Sequence, residues 1–566
     1  MKQQIKNYIS YAFKSILNFE FLLSTLSSFL IGASHIVNIY LNNLGEIYFE
    51  EVQTLLFEYL FVIFISTLVV AIFLRKMIIY VPLAWLLLFL WQTIGDFIYL
   101  QTSFEILAGE LALVIIAVIF SFLIWQLWKV NRKDILKFSF GFSVILFFSP
   151  IVSDFPSFKD AFDQNSNRII DLRREAIKIE HLSNKVRTSD LPDIIYLVPD
   201  RYASADTLLK EYRWDNSEFY SALKERGFKV NQNSISNYPV TYQSLSSNLN
   251  ATYLDKFSRF TKDYPSDRKP LFALTEENWV QESLRNIGYY YFHLGFYWTR
   301  TKTNKFADRN YTTEIEKKEN QFLITNISPL GLVLFNKTPF VAVSKRLFKY
   351  DPNILMSCKF MRSKIDELKN VKIDRTDHPT FIFAHLSMPH EPIFFNEHGD
   401  CLEPLLNTSS HFNRERFSED VFWEKFKSDY LSFLKFTNNT LLDIFDAHSK
   451  PKNRDLIFVI QSDEGPHPHS WRKVGGIPDN TLEVMNLDDW KIKSGIINAM
   501  LTTNSNQIKS DDLKTPINNW IYIFNHILDT NIEPLPHEVY GILGENNLYN
   551  FLDLNHMIDS KHEIND

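Results

Sequence analysis

The apolar positions of this 566-residue chain follow two different patterns. Residues 1 to about 151 hold long apolar segments, each near the ~20 residues that a helix needs to cross a bilayer. The five segments are Phe21–Leu41, Leu55–Leu74, Met77–Ile94, Ile106–Trp128 and Ile135–Ile151. We therefore predict an all-α transmembrane domain of five helices over residues 1–151.

The basic residues set the predicted orientation of these segments. They cluster in three stretches, which alternate with connections that carry only acidic charges: Lys2, Lys6 and Lys14; Arg75 and Lys76; Lys129, Arg132 and Lys133. Lysine and arginine beside spanning helices are retained on the cytoplasmic side. We predict a multi-pass plasma (inner) membrane protein with a cytoplasmic N-terminus, so five spans place the rest of the chain outside the cytoplasm.

Beyond the apolar part, the pattern predicts two further regions. Over residues 152–190, apolar residues at helical spacing in a charged background predict a juxtamembrane amphipathic linker. Over residues 191–566, short apolar runs alternate with helical patterns, which predicts an extracytoplasmic α/β domain with a mostly parallel central sheet. The predicted strands are Ile194–Val198, Tyr289–Leu294, Thr380–Leu386, Leu456–Gln461 and Ser494–Leu501.

Two of these strands end in acidic residues. DIIYLVPD closes at Asp200, and DLIFVIQSDEG leads into Asp463 and Glu464. Ligands of open α/β sheets bind beyond the carboxyl ends of strands, so these carboxylates are candidate ligands of one shared metal. Thr241 adds a fourth oxygen if it lies at the same centre. Oxygen ligands favour Mn²⁺ here, with Mg²⁺ or Zn²⁺ as alternatives.

Thr241 has two interpretations. A metal-bound hydroxyl loses its proton more readily and becomes a nucleophile, and the segment from Tyr242 to Leu249 predicts a helix whose N-terminus would face a phosphate. A threonine before a helix is, however, more often an N-cap. Neighbouring hydroxyl groups also leave the assignment open: Ser244, Ser246 and Ser247.

Histidines and arginines near these strand ends are candidate acid–base groups or substrate contacts. His385 and His390 flank the end of a predicted strand in FAHLSMPHEPIFF, and each can serve as a metal ligand, a phosphate contact or a proton donor. We favour His390 as the catalytic histidine, because it lies in a stiff, proline-flanked loop. The residues predicted to contact substrate are Arg201, His385, His467 and Arg472.

Composition narrows the function classes. The net charge is −7, and no basic patch interleaved with aromatic residues occurs, which argues against a nucleic-acid partner. The two cysteines, Cys358 and Cys401, both fall in the predicted exterior domain, where a disulfide is chemically permitted. The sequence alone does not pair them.

Together these segments resemble the alkaline phosphatase and sulfatase superfamily. They are most similar to its membrane branch of lipoteichoic-acid-synthase-like phosphoglycerol transferases and sulfatase-like membrane proteins. The resemblance covers most of the chain and rests on LVPD with Asp200, YPVTYQSL with Thr241, MPHEP with His390 and QSDEG with Asp463. It implies an alkaline-phosphatase-like fold for the exterior domain, with these four residues in the active centre.

The chain departs from that pattern in two places. The usual Asp-His-Gly reads Asp463-Glu464-Gly465, so a carboxylate replaces a nitrogen ligand. The extra negative charge requires a second metal, Arg201 or a protonated His467; alternatively, Glu464 turns away from the metal or catalysis has been lost. The C/S-x-P-x-R motif of sulfatases with a formylglycine nucleophile does not occur, which disfavours a sulfatase proper.

These observations predict a metal-dependent phosphotransferase. It would move a phosphoglycerol-like headgroup from a phospholipid donor to a cell-envelope glycan or glycolipid, through a phospho-Thr241 intermediate. A phosphoethanolamine transferase or a phosphodiesterase on the same scaffold is an alternative. A non-catalytic envelope protein for binding or assembly is another, motivated by Glu464.

Overall fold

The computed structural model describes most of the chain. The described residues are 19–102, 105–155, 188–258, 265–296, 299–313, 331, 334–335, 338–340, 357–371, 378–402, 420–449, 454–473, 477–503 and 508–556. Most of the predicted linker, 152–190, lies outside them. The chain divides into two compact units, one of Met1–Asn165 with Phe322–Pro352 and one of Ser166–Gln321 with Asn353–Asp566.

The first unit is helical where it is described. Its helices are α1 (Phe19–Leu41), α2 (Phe49–Phe73), α3 (Val81–Phe89), α4 (Trp91–Thr102), α5 (Glu105–Leu127) and α6 (Arg132–Ser153). Within the described residues, three helices, α1, α2 and α6, are long and apolar enough to cross a membrane, and α5 contains a shorter apolar stretch, Leu111–Leu127. A helical membrane part is therefore confirmed, whereas the count of five spans is not.

The predicted span Met77–Ile94 is not one helix, which corrects the sequence prediction. A 3-10 turn covers Arg75–Tyr80, α3 follows it, and a turn at Leu90 separates α3 from α4. Pro82 lies in the first turn of α3, where its missing N–H group leaves no hydrogen bond unmade. Proline therefore favours the start of a new helix at this point over continuation of the preceding turn.

The second unit contains a seven-stranded sheet and a two-stranded one. The strands are β1 (Asp193–Pro199), β2 (Lys229–Ile235), β3 (Tyr290–Gly295), β4 (Arg309–Asn310), β5 (Thr380–Leu386), β6 (Leu456–Gln461), β7 (Gly495–Thr502), β8 (Tyr540–Ile542) and β9 (Phe551–Asp553). The helices are α7 (Ala205–Lys210), α8 (Ser217–Glu225), α9 (Thr241–Asn248), α10 (Lys269–Glu276), α11 (Trp279–Asn286), α12 (Thr299–Lys302), α13 (Cys358–Asn370), α14 (Asp420–His448), α15 (His469–Lys473), α16 (Thr481–Val484), α17 (Leu487–Ser494) and α18 (Asn519–Leu528).

The large sheet has the order β2-β7-β6-β1-β5-β3-β4. Its central pairs are parallel, while β7 runs antiparallel to both β6 and β2. The predicted α/β domain with a mostly parallel sheet is therefore confirmed. All five predicted strands are present within one residue of their predicted bounds, whereas β2 and β4 were not predicted.

Burial on both faces explains why the central strands read as continuous apolar runs. In β1, Ile195 and Leu197 belong to the apolar core on one face of the sheet. Ile194, Tyr196 and Val198 belong to the core on the other face. Packing on both faces fixes the positions of the strand ends and of the side chains that follow them.

Cys358 and Cys401 form a disulfide bond, which the sequence had left open. Cys358 is the first residue of α13, and Cys401 pairs with Phe395 in an isolated bridge. The bond therefore closes a long loop that contains β5 and His390.

Replacing both cysteines by serine is expected to destabilise the second unit by about 4 kcal/mol, because the unfolded chain regains the entropy of a loop that spans 43 positions. Thermal denaturation of the full chain measures this as a lower Tm. A reductant should lower the Tm of the wild type and leave that of the variant unchanged. An unchanged Tm in the double variant would contradict the expectation.

Candidate active site

Several strand ends meet at one edge of the sheet. The parallel strands β1, β5 and β6 all end there, and they bring Asp200, His385 and Asp463 to this edge. The antiparallel strand β7 begins at the same edge, two residues after Lys493, and β2 ends there and leads towards Thr241. The sheet topology therefore assembles residues that are distant in sequence.

Asp200, His385 and Asp463 form a buried cluster whose ligand atoms all lie within 4.8 Å of one another. His385 Nε2 lies 3.6 Å from Asp200 Oδ2 and 3.8 Å from Asp463 Oδ2. Among the described residues, Asp200 Oδ1 and both Asp463 carboxylate oxygens lack a hydrogen-bond partner of normal geometry. Buried carboxylate oxygens without partners are costly unless a cation binds them, so this donor set fits a divalent metal ion.

The two carboxyl groups of the cluster have opposite pKa shifts. Burial, together with Asp463 and Glu464, raises the pKa of Asp200 well above its ordinary value. Burial would also raise the pKa of Asp463, but interactions with His385 and Thr241 outweigh it and lower that pKa. A bound cation would favour the charged form of both groups.

His385 is oriented for metal binding by a hydroxyl group. Its Nδ1 lies 2.8 Å from Thr301 Oγ1, in a hydrogen bond buried inside the second unit. A partner on one ring nitrogen holds the imidazole in place and leaves the other nitrogen to face a metal. His385 was predicted to contact substrate; its position makes it a candidate metal ligand as well.

Replacing Thr301 by valine is expected to weaken metal affinity about 10-fold, as the loss of such an outer contact does in other metal sites. Titration calorimetry of the purified full chain measures the affinity. Thr437→Val is a matched control, since its buried hydroxyl donates only to Phe433 O inside α14. Equal affinities of the Thr301 variant and the wild type would show that the hydroxyl does not orient His385.

Thr241 is the first residue of α9, and its N-cap is Val240. The helix begins one residue earlier than predicted, so the N-cap interpretation of Thr241 is wrong. Its hydroxyl instead interacts with the carboxylate of Asp463 and lowers the pKa of that group. Thr241 thus lies beside the metal-binding cluster, at the positive end of a helix dipole.

Glu464 is engaged by two cations. Its Oε1 lies 2.9 Å from Arg201 Nε and 2.8 Å from Lys493 Nζ. Lys493 is fully buried, and burial lowers its pKa to about 8. Arg201 follows the end of β1 and has a left-handed backbone conformation (φ 60°), which is sparsely populated for an arginine. In this conformation its side chain contacts Glu464.

Glu391 extends these ion pairs away from the cluster. It pairs with Arg201, and its Oε1 lies 3.2 Å from Arg472 Nη1. Burial would raise the pKa of Glu391, but Arg201 and Arg472 hold it well below its ordinary value. Among the described residues, Nε and Nη2 of the buried Arg472 have no hydrogen-bond partner, so Arg472 retains capacity to bind an anion.

The remaining predicted histidines are uncharged at neutral pH. Burial and Arg201 lower the pKa of His390 to about 3, and its Nε2 lies 3.9 Å from Asp200 Oδ2. Burial and Arg201 also hold the pKa of His467 well below its ordinary value, and its ring stacks on Trp471. His467 therefore does not supply the positive charge considered from the sequence; Arg201 and Lys493 do.

Sequence comparison identifies the family. The sulfatase family model matches residues 192–497, more than half of the chain. The chain belongs to the sulfatase family. The match includes Asp200, Thr241, His385, His390, Asp463 and Lys493. No curated protein matches the sequence.

Solved structures give weaker similarities. The C-terminal periplasmic domain of EcEptC from Escherichia coli, in complex with Zn, is 13% identical over 68% of this chain and 98% of that one, with a TM-score of 0.40. The integral membrane protein lipooligosaccharide phosphoethanolamine transferase A (EptA) from Neisseria meningitidis is 14% identical over 90% of this chain and 94% of that one, with a TM-score of 0.35.

Sequence reasoning missed three residues of this sulfatase-family site. Lys493 precedes a predicted buried strand, and a charged residue in that position was an available signal. Glu391 directly follows His390 in the sequence, but it was not predicted to belong to the site. Thr301 lies in α12, and no local pattern in the sequence marked it.

Proposed function

We propose that this sulfatase-family protein is a membrane-anchored, metal-dependent transferase. It moves a phospho-alcohol headgroup from a lipid to a cell-envelope glycan or glycolipid. The headgroup that we favour is phosphoglycerol. The observation that carries the proposal is the position of Thr241, at the N-terminus of α9 and against the Asp463 carboxylate. A hydroxyl in that position can serve as a nucleophile towards phosphorus.

The metal would be held by Asp200, Asp463 and His385, with the Thr241 hydroxyl beside them. When bound, a divalent ion lowers the pKa of a neighbouring hydroxyl and offsets charge on phosphoryl oxygens. Mn²⁺ is our leading assignment, because most of the proposed ligand atoms are oxygens. The histidine nitrogen among these ligands also suits Zn²⁺.

In the first step, Thr241 Oγ attacks phosphorus of the donor lipid. Thr241 gives up its hydroxyl proton as the bond between phosphorus and the diacylglycerol oxygen breaks. That oxygen takes up a proton, so diacylglycerol leaves as an alcohol and the headgroup phosphate stays on Thr241. In the second step, an acceptor hydroxyl attacks the same phosphorus, the bond between phosphorus and Thr241 Oγ breaks, and Thr241 Oγ regains a proton. His390, neutral at pH 7, accepts the proton of the acceptor hydroxyl.

Charged groups around the cluster suit an anionic substrate. Arg472 has two N–H positions without partners among the described residues, and Arg201 lies at the end of β1 beside Asp200. Guanidinium groups bind phosphate oxygens with defined geometry. We assign both arginines to phosphate binding, with His467 as a neutral neighbour 3.9 Å from Glu464 Oε1.

The membrane part suits a lipid donor. Helices α1, α2 and α6 are each long and apolar enough to span a bilayer, and we propose a multi-pass membrane part with a cytoplasmic N-terminus and an extracytoplasmic catalytic domain. The Cys358–Cys401 disulfide supports that side of the membrane, because such bonds persist in oxidising compartments.

Headgroup transfer in proteoliposomes tests the proposal. The full chain is reconstituted with Mn²⁺, an envelope-glycan acceptor and either headgroup-labelled phosphatidylglycerol or headgroup-labelled phosphatidylethanolamine. We expect label from phosphatidylglycerol on the acceptor, and none after chelation. Transfer from phosphatidylethanolamine alone would favour the alternative headgroup, and release of label into water would indicate a phosphodiesterase. Metal binding without transfer or release would contradict the proposal.

A further inference from the structure

Glu464 and Lys493 form a deeply buried ion pair of the site. Glu464 is 2% exposed and Lys493 is 0% exposed. Lys493 Nζ lies 2.8 Å from Glu464 Oε1 and 3.3 Å from the carbonyl oxygen of Gly465. The same Oε1 accepts a hydrogen bond from Arg201 Nε at 2.9 Å. One carboxylate oxygen therefore already faces two cations.

We propose that Lys493 is a fixed cation of this active site, which holds Glu464 outside the coordination shell of the metal. The inference deepens the proposed function and rests on its metal site alone. Lys493 acts as a positioning residue, because its ammonium contacts the carboxylate of Glu464 and the carbonyl oxygen of Gly465. Glu464, whose type and sequence position suggest a metal ligand, instead completes an ion-pair network.

Charge balance supports this assignment. Glu464 and Glu391 face Arg201, Arg472 and Lys493, so three positive charges more than compensate their two negative charges without a metal. Asp200 and Asp463 are then the acids left for the metal, and their two negative charges match one divalent ion. Glu464 is not among the residues whose ligand atoms lie within 4.8 Å of one another. If its carboxylate moved away from Lys493 to join them, it would leave the buried ammonium without its partner, at a large cost.

The nitrogen donor has an alternative source. In the order of the sheet, β5 adjoins β1, and it places His385 Nε2 3.6 Å from Asp200 and 3.8 Å from Asp463. A ligand set of two carboxylates and one imidazole is therefore complete without Glu464. The carboxylate is free to position Arg201 and Lys493 beside the cluster.

Metal binding by charge-paired variants tests the inference. Mn²⁺ affinity and stoichiometry are measured by titration calorimetry on the full chain in detergent, for the wild type, Glu464→Gln, Lys493→Met and the double variant. Glu464→Gln should weaken binding about 10-fold, because two cations then face the metal without their carboxylate. The double variant removes one charge of each sign, so the net charge around the metal equals that of the wild type. It should bind one equivalent of Mn²⁺ with an affinity within about 3-fold of the wild-type affinity.

Opposite results would overturn the inference. If Glu464 were a ligand, Glu464→Gln would lose binding at least about 100-fold, and adding Lys493→Met would not restore it, because an outer-shell change cannot replace a ligand. Two bound equivalents in the wild type would contradict the charge balance. If the single variants do not fold, the double variant decides alone; failure of the double variant to fold would also count against mutual compensation.

The readout separates this inference from the proposed function. Transferase activity plays no part in the measurement, so rescue of metal binding in the double variant supports the role of Lys493 even if no headgroup is transferred. Normal metal stoichiometry with no transfer from any lipid would instead remove the proposed function and leave the ion pair in place.

Discussion

Replacing Thr241 by alanine is expected to abolish headgroup transfer, with kcat lower by at least about 10,000-fold, as when the nucleophile of a covalent mechanism is removed. The reason is geometric: Thr241 is the hydroxyl that interacts with Asp463 at the metal-binding cluster. Steady-state transfer assays in proteoliposomes measure the loss. Metal affinity and Tm should change little by comparison.

Two further variants control for position and chemistry. Thr241→Ser keeps a hydroxyl and should retain partial activity. Ser246→Ala removes another buried hydroxyl of α9, one that donates only to Gln243 O, and should leave kcat unchanged within a few-fold. Substantial transfer by Thr241→Ala, or an equal loss in Ser246→Ala, would show that Thr241 is not the nucleophile.

Replacing Asp463 by asparagine is expected to lower metal affinity by more than about 100-fold, beyond the loss seen for outer-shell contacts. Asp463 is fully buried, and in the described structure both of its carboxylate oxygens lack a hydrogen-bond partner of normal geometry. A neutral amide in this position offers one weaker ligand oxygen. Titration calorimetry measures affinity, and bound metal after dialysis gives the stoichiometry.

Asp193 provides a matched control for this change. It is also a buried aspartate of the same sheet, but it begins β1, so it lies at the opposite edge, where its Oδ1 accepts a hydrogen bond from Thr380 N. Asp193→Asn should lower stability without changing metal affinity. Wild-type metal affinity in Asp463→Asn would place the metal elsewhere.

The sheet and the acids at its edge could be predicted from sequence because both leave local signals. Strands buried on two faces are apolar throughout, so β1, β5 and β6 were recognisable. A carboxylate directly after such a strand breaks the pattern, which marked Asp200 and Asp463. Thr241 was recognisable only as a hydroxyl near a predicted helix; its contact with Asp463 required the fold.

The rest of the site depends on which strands are neighbours, and a single sequence does not encode that order locally. His385 can serve as a ligand because β5 adjoins β1. Lys493 reaches Glu464 because β7 pairs antiparallel with β6 and begins at the edge of the sheet where Asp200, His385 and Asp463 meet. The membrane part also contains a feature that its local pattern did not predict. The run Met77–Ile94 is largely apolar, yet a turn at Leu90 interrupts the helix.

The structure shows how the site accommodates Glu464 where the family pattern has a histidine. The sequence allowed three explanations: added cations, a carboxylate turned away from the metal, or lost catalysis. The structure pairs Glu464 with Arg201 and Lys493, which combines the first two. A charged, closely packed network of this kind keeps the cluster of Asp200, His385 and Asp463 available for a metal.

Mass spectrometry of the Thr241 peptide tests the central claim most directly. The purified full chain is incubated with Mn²⁺ and mixed phospholipids without an acceptor, and then digested. The account predicts a phosphoglycerol adduct on Thr241 that is absent from Thr241→Ala and disappears when the acceptor is added. Metal-loaded protein that forms no adduct on Thr241 with any lipid would contradict it.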